Sequence, residues 1–170
     1  MANSVEGRIE LIDPSQGPAF HATNARGNSI LLGSTPEDPA VAHSWTGVSP
    51  MEVVLLGLGG CTGLDVISTL RKMRQHVTSY SVRVRGHRRD DHPRIYTRIE
   101  VEHEVHGLAL PEDAVRRAIA LSAGKYCSVS AMLEASSELE LTYRLVDDTT
   151  GTEIIGVLPR APIDAALETE

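Results

Sequence analysis

A long apolar segment at residues 50–75, PMEVVLLGLGGCTGLDVISTLRKMRQ, constrains the fold of this chain more than any other feature. Ser49 is a good N-cap before it, Pro50 fits the first helical position, and the basic residues near its end suit a helix C-terminus. The first half is apolar on every side, whereas the second half repeats its apolar residues on one stripe. The segment predicts a central helix whose first half is buried all round, with a second subunit packed on it.

Composition limits the class of protein. A chain of 170 residues with 41% hydrophobic and 23% charged residues has the composition of a globular protein and the length of one domain. The formal net charge of −7 provides no basic surface, which argues against nucleic acid and membrane surfaces as partners. The start MANSVEGRIELID lacks the pattern of a signal peptide, so we expect a cytoplasmic protein.

The remaining segments predict a mixed α/β (α+β) fold. Three short β-tolerant segments form an N-terminal meander, and a polar loop with two prolines precedes the central helix. A β-hairpin, two further helices and a closing strand follow. We expect a domain at 1–146 and a C-terminal extension of unassigned role at 147–170, with one more short strand near Ile154. In chain order the predicted elements are strands 5–12, 19–25 and 29–32, loop 34–49, hairpin strands 79–86 and 94–106, helix 111–123, the helix CSVSAMLEAS, and strand 138–146.

Alternation with period two divides the second hairpin strand into two faces. Ile95, Thr97, Ile99, Val101, His103 and Val105 share the apolar face, and the charged residues share the other. Arg83 and Arg85 can pair with glutamates across the hairpin. His103 is expected to be a hydrogen-bonded core histidine. An offset of three places His106 on the opposite face, so these two histidines cannot chelate one metal.

Two short motifs, one of glycines and one starting with a serine, are weak signals of function. Gly57, Gly59 and Gly63 resemble a dinucleotide-binding fingerprint, but no strand precedes them. Ser122 and Lys125 match SxxK without the companion motifs of that acyl-enzyme class. Neither motif predicts a function.

The two cysteines, Cys61 and Cys127, have no CxxC spacing and no histidine cluster, so neither a zinc site nor a disulfide framework is predicted. Their local chemistry fits two buried packing thiols or a redox pair. Cys127 lies near a helix start and two residues after Lys125, where backbone N–H groups and a cation lower a thiol pKa. Cys61 follows two glycines, which indicates close approach of another backbone or a substrate.

Two cysteine motifs in this order resemble a known family. SPMEVVLLGLGGCTGLDVISTLRKMR followed by LSAGKYCSVSAMLEAS resembles the OsmC/Ohr family of organic hydroperoxide reductases, most closely its YhfA-type branch. The resemblance runs from about residue 5 to 146. It implies an OsmC-like fold in which two chains intertwine as a homodimer, with their central helices packed together and sites formed between subunits.

The same resemblance implies a role for each cysteine. Cys61 matches the peroxidatic cysteine, which attacks a peroxide oxygen to give a sulfenic acid and an alcohol. Cys127 matches the resolving cysteine, which closes a disulfide that an external dithiol reopens. No metal and no bound cofactor are needed for this chemistry.

Because an apolar environment raises a thiol pKa, the peroxidatic cysteine needs a cation nearby. The family uses an arginine held by a glutamate that directly follows the proline of the helix start. Met51 occupies that position here, and Glu52 lies one residue, or about 100° of helix, further on. Arg26, in the NARGN turn, is the expected arginine. Arg26 and Glu52 are the predicted substrate-binding residues.

A second hypothesis belongs to a different class of function. Met51 in place of an acidic residue also fits a non-catalytic homodimeric module that binds an apolar small molecule at the dimer interface, with the cysteines as lining. Catalysis of organic hydroperoxide reduction is the first hypothesis, because the paired cysteine motifs lie in an apolar setting.

Overall fold

A computed structural model describes residues 4–12, 19–33 and 47–159. Contacts divide the chain into two compact units, residues 1–54 and 55–170. The elements in chain order are β1 (Gly7–Leu11), β2 (Ala19–Asn24), β3 (Ser29–Gly33), α1 (Pro50–Lys72), β4 (Val77–Arg88), β5 (Tyr96–Gly107), α2 (Glu112–Leu121), a π-helical turn (Ser122–Tyr126), α3 (Ser128–Leu133), β6 (Glu138–Asp147) and β7 (Glu153–Leu158).

The N-terminal unit contains the predicted meander. Strands β1, β2 and β3 pair antiparallel in that order. The turn between β2 and β3 is held by the Asn24 side chain, whose Oδ1 accepts the backbone N–H groups of Arg26 and Asn28. Gly27 takes a φ of 81°, which glycine adopts without strain. Most of the predicted loop 34–49 lies outside the described residues.

Helix α1 begins at Pro50, as the sequence predicts. Ser49 and Glu52 form a capping box, because the Ser49 N–H donates to Glu52 Oε2 at 2.8 Å and the Glu52 N–H donates to Ser49 Oγ at 3.2 Å. The helix ends where Arg74 takes a φ of 57° and the Gln75 N–H bonds back to the Leu70 carbonyl. By length and composition alone α1 is long and apolar enough to cross a membrane, a criterion that core helices also meet.

The prediction that the first half of α1 is buried on all sides is wrong for the single chain. Leu58, Thr62, Val66 and Leu70 form the buried stripe at helical spacing. On another face, Leu56 and Leu64 are 61% and 76% exposed. An apolar face therefore remains open on α1, because within one chain only part of the helix surface meets other elements.

The C-terminal unit is built on a four-stranded sheet in the order β4-β5-β6-β7. The predicted hairpin is confirmed as antiparallel β4 and β5, whereas β5 and β6 are parallel and are joined through the helices. Strand β7 pairs antiparallel with β6, so residues 153–158 of the expected extension add an edge strand to the sheet. On the solvated face Arg83 pairs with Glu102 and Arg85 with Glu100, as predicted.

The predicted alternation of β5 fails at its start. Tyr96 is buried, whereas Ile95 and Thr97 are exposed. The pairing with β4 shifts register between His87 and Arg88, and such an irregularity changes which side chains point to the core. From Ile99 onward the predicted apolar face is buried.

The second half of the unit is helical. Pro111 precedes α2 as predicted, but the helix ends at Leu121 rather than at residue 123, because the chain continues into the π-helical turn at Ser122–Tyr126. Helix α3 begins directly after Cys127. The backbone N–H of Cys127 donates to the Ser122 carbonyl across this turn, so these two residues lie close together.

Candidate functional site

Cys127 lies at the start of α3 and is 3% exposed. Its backbone is extended (φ −73°, ψ 100°), which directs its side chain back over the first turn of the helix. There the sulfur accepts the N–H of Ser130 at 3.4 Å. Cys127 is therefore the N-cap residue of α3, with its thiol in the place where serine or aspartate usually lies.

Cys61 lies in the middle of α1 and is half-buried. Asp65 follows four residues later, so both side chains lie on one face of the helix. Cys61 Sγ, Cys127 Sγ and a carboxylate oxygen of Asp65 all lie within 4.8 Å of one another. Two cysteines that are 66 residues apart in the chain are thus brought together, with an acidic group beside them.

Burial raises the pKa of the Cys127 thiol, and the neighbouring Cys61 raises it further, against the lowering effect of Ser130. The expectation that the helix start lowers the pKa of the Cys127 thiol is therefore wrong. Its helix N-terminus does supply a hydrogen bond, but loss of solvent outweighs that bond. A cysteine that stays protonated suits a resolving role better than a peroxidatic one.

A chain of hydroxyl groups fixes the Asp65 carboxylate. The Ser122 hydroxyl, fully buried in the π-helical turn, donates to Asp65 Oδ2 at 3.2 Å. Thr62 Oγ1 lies 2.9 Å from Ser122 Oγ. Because Ser122 has one hydroxyl hydrogen, which it gives to Asp65, Thr62 is the donor to Ser122. Helix α1 and the π-helical turn are therefore cross-linked next to the two sulfurs.

Asp65, Thr62 and Ser122 were not among the site residues predicted from the sequence. The i, i+4 spacing of Cys61 and Asp65 was the available signal, because it places both on one helix face. Ser122 carried no such signal. Its position depends on the π-helical turn, which the local sequence does not predict.

On the strand side of α1, the Tyr80 hydroxyl lies 2.7 Å from His103 Nδ1. Burial lowers the pKa of His103 to about 4, so the ring is neutral near pH 7. Burial also raises the Tyr80 pKa, and the Asp65 carboxylate raises it further. His103 is thus the hydrogen-bonded core histidine that the sequence predicts, although its Nε2 has no partner among the described residues.

An apolar groove of about 500 Å³ runs between α1 and β4. Gly59 and Gly63 lie at its floor, and a Cβ on Gly59 would come within 3.1 Å of Val84 Cγ2. These two glycines let β4 approach the helix, whereas Gly60 faces open space. Leu56, Gly60 and Leu64, on the exposed face of α1, also line the groove, whereas neither cysteine does.

Arg26 and Glu52 belong to the N-terminal unit. Arg26 is exposed in the turn between β2 and β3, where its backbone N–H is bound by Asn24. Glu52 is exposed in the first turn of α1, where hydrogen bonds from Ser49 lower its pKa. One oxygen of the Glu52 carboxylate therefore serves the helix cap.

Comparison with known proteins gives concordant results. Residues 42–142 match the family model described as OsmC-like protein. Protein YhfA of Escherichia coli K12 is 40% identical over 142 residues, which cover 84% of this chain and 98% of that protein. A hypothetical protein from Aquifex aeolicus is 31% identical with a TM-score of 0.73, covering 86% of this chain and 98% of that one.

A more distant structure shares the fold. The organic hydroperoxide resistance protein OhrB of Bacillus subtilis is 15% identical, with a TM-score of 0.56 and coverage of 82% of this chain and 97% of its own. The family match spans more than half of the chain, and the similarity to YhfA spans most of it. This chain, with its paired cysteines on α1 and at the start of α3, belongs to the OsmC-like family.

Proposed function

We propose that this protein is a cysteine-based peroxidase that reduces organic hydroperoxides to alcohols. The observation that carries the proposal is the proximity of Cys61 Sγ and Cys127 Sγ, both within 4.8 Å of each other and of the Asp65 carboxylate. Membership of a family that includes organic hydroperoxide resistance proteins supports it.

The proposed cycle has three steps. The Cys61 thiolate attacks the outer peroxide oxygen, the O–O bond breaks, and the alkoxide takes a proton to leave as an alcohol. Cys127 then gives up its proton and attacks the Cys61 sulfenic acid, which releases water and forms a Cys61–Cys127 disulfide. An external dithiol supplies two electrons and two protons to restore both thiols. Metal ions and bound cofactors have no part in these steps.

The first step of this cycle needs Cys61 as a thiolate, the form in which a cysteine attacks a peroxide. A positive charge close to the sulfur favours that form. We assign this role to the Arg26 guanidinium, with Glu52 as its partner through the carboxylate oxygen that the helix cap leaves available. Both side chains would then act on the substrate side of Cys61.

The proposed cellular form is a cytoplasmic homodimer. The open apolar face of α1, with Leu56 and Leu64 exposed, supports a second copy of the chain as its occupant. The apolar groove between α1 and β4 supports the second hypothesis, in which the protein binds an apolar small molecule. In that case the cysteines do not line the ligand, because neither is among the residues that line the groove.

Steady-state turnover tests the peroxidase proposal. Purified wild-type protein should consume cumene hydroperoxide when supplied with a dithiol such as dihydrolipoamide. Cys61→Ser should abolish turnover, and Cys127→Ser should lower it by orders of magnitude, because the sulfenic acid then has no resolving thiol. Circular dichroism spectra of both variants control for folding. Wild-type protein that shows no turnover with any dithiol would move the assignment to the binding module.

A further inference from the structure

The three groups at the site form a ligand set that neither family membership nor sequence spacing assigns to metal binding. We infer that, in the reduced protein, Cys61, Asp65 and Cys127 bind a thiophilic divalent cation of the Zn²⁺ class. The inference rests on the same site as the proposed peroxidase and adds a ligand to it. Spacing rules missed this set because Cys127 comes from a distant part of the chain.

The distances fit a tetrahedral centre. With Zn–S bonds of about 2.3 Å and Zn–O bonds of about 2.1 Å, neighbouring ligand atoms lie about 3.6–3.8 Å apart. Each pair among Cys61 Sγ, Cys127 Sγ and the Asp65 oxygen is already within 4.8 Å. A contraction of at most about 1.2 Å per pair therefore completes the geometry, which rotation of the half-buried Cys61 and Asp65 side chains on α1 can provide.

The donor atoms select the class of cation. Two thiolates and one carboxylate favour Zn²⁺, Co²⁺ or Cd²⁺ over Mg²⁺ and Ca²⁺, which prefer oxygen ligands. A divalent cation would also neutralise most of the negative charge that these groups carry together. Three protein ligands leave a fourth position for water or another small ligand, as in open zinc sites.

Hydrogen bonds around the set hold its members in place. Ser122 donates to Asp65 and Thr62 donates to Ser122, so the carboxylate orientation is fixed from the π-helical turn. The Ser130 N–H donates to the Cys127 sulfur. Outer-shell bonds of this kind orient ligands and raise metal affinity. Two of the three ligands, Asp65 and Cys127, are thus each held by a hydrogen bond from a residue that is not itself a ligand.

Metal and disulfide exclude each other, since both use the two sulfurs. Oxidation of the loaded site by an organic hydroperoxide would consume two protons and give one disulfide, one alcohol and one water, with the cation released. The two thiolates supply the two electrons that the O–O bond accepts. The cation would therefore occupy the reduced protein and leave when peroxide arrives.

Titration with Co²⁺ under anaerobic, peroxide-free conditions tests metal binding apart from peroxidase activity. We expect one Co²⁺ per chain, with the intense red-region absorption of a tetrahedral centre and a thiolate-to-metal charge-transfer band in the near ultraviolet. Cys61→Ser and Cys127→Ser should each remove most of the charge-transfer intensity. Asp65→Asn should weaken affinity at least about tenfold, and Asp91→Asn, an exposed aspartate in the hairpin loop, should not.

Weak octahedral absorption without a thiolate band, or equal affinity in wild type and both cysteine variants, would overturn the inference. A melting-temperature rise with Zn²⁺ that survives in Asp65→Asn would overturn the role of Asp65. If the protein binds Co²⁺ through both thiols but turns over no peroxide, the metal site is supported and the proposed peroxidase function is refuted. If it turns over peroxide but shows no thiolate band, the function is supported and the metal site is refuted.

Discussion

His103 is a fully buried histidine whose ring stays neutral because the core excludes water. Its pKa falls from 6.5 to about 4 in the folded chain. Between these values the unfolded chain binds a proton that the folded chain does not, so stability falls as pH falls. The contribution of neutral His103 to the free energy of unfolding is fully present above about pH 6.5 and is lost as the pH falls to about 4.

Urea unfolding measures this effect. From pH 7 to pH 5 the free energy of unfolding should fall by about 2 kcal/mol on account of His103, from the shift and 1.36 kcal/mol per pKa unit. His103→Gln, which can still bond to the Tyr80 hydroxyl, should lose most of this pH dependence. His76→Gln, at an exposed position, is the control and should keep it. Equal slopes in His103→Gln and wild type would refute the assignment.

At the scale of single residues, the sequence predicted what depends on local pattern. The core position of His103 followed from strand alternation, whereas the roles proposed for Cys61 and Cys127 came from the resemblance of their motifs to a family. The place of Asp65 beside both sulfurs needed the three-dimensional path of the chain. The pKa of Cys127 did too, because burial opposes its helix N-terminus and burial cannot be read from neighbours in sequence.

Two roles meet at the start of α1, the helix cap and the proposed pairing with an arginine, and they can be tested separately. Ser49 and Glu52 cap the helix, and Glu52 is also the proposed partner of Arg26. Glutamine suits a capping box as well as glutamate does, but it carries no charge. Glu52→Gln should therefore keep stability near the wild-type value and lower kcat/KM by roughly 10–100-fold, the range for outer-shell partners.

Ser49→Ala is the matched variant for this prediction. It should cost about 1 kcal/mol of stability through loss of the cap and leave kcat/KM close to wild type. Chemical unfolding and initial-rate kinetics on the two variants give both quantities. If Glu52→Gln keeps full turnover, Glu52 serves only the cap, and another residue holds the arginine.

Among the elements, helices and strands with strong periodicity were predicted closely. The beginning of α1, the hairpin and β6 lie where the sequence placed them. The predictions that failed did so for two local reasons that a periodic pattern does not reveal. These are the register shift at the start of β5 and the π-helical turn after α2. The π-helical turn matters most, because it carries Ser122 and ends directly before Cys127.

The open face of α1 bears on the whole molecule. Leu56 and Leu64 are exposed on a helix whose opposite stripe is buried, and Gly60 lies between them with open space beside it. Small residues at such a position let another helix approach closely. A sequence that is apolar on all sides thus fits a helix covered partly by its own chain and partly by a second copy.

Sedimentation of a charged variant tests the second copy. Wild type should sediment as a dimer, and Leu64→Glu should sediment as a monomer, since burying an unpaired carboxylate costs several kcal/mol. Ile155→Glu places the same charge on the exposed face of β7 and should remain dimeric. A monomeric wild type, or dimers of equal strength in all three proteins, would show that this face is not the interface.

Cys61 and Cys127 are proposed to act as one redox pair within a chain. Reduced protein treated with one equivalent of cumene hydroperoxide and then digested without reduction should yield one intrachain Cys61–Cys127 disulfide by mass spectrometry. Cys127→Ser should instead accumulate a sulfenic acid at Cys61 that dimedone traps. Two free thiols after excess peroxide, or a sulfenic acid formed first at Cys127, would contradict the account.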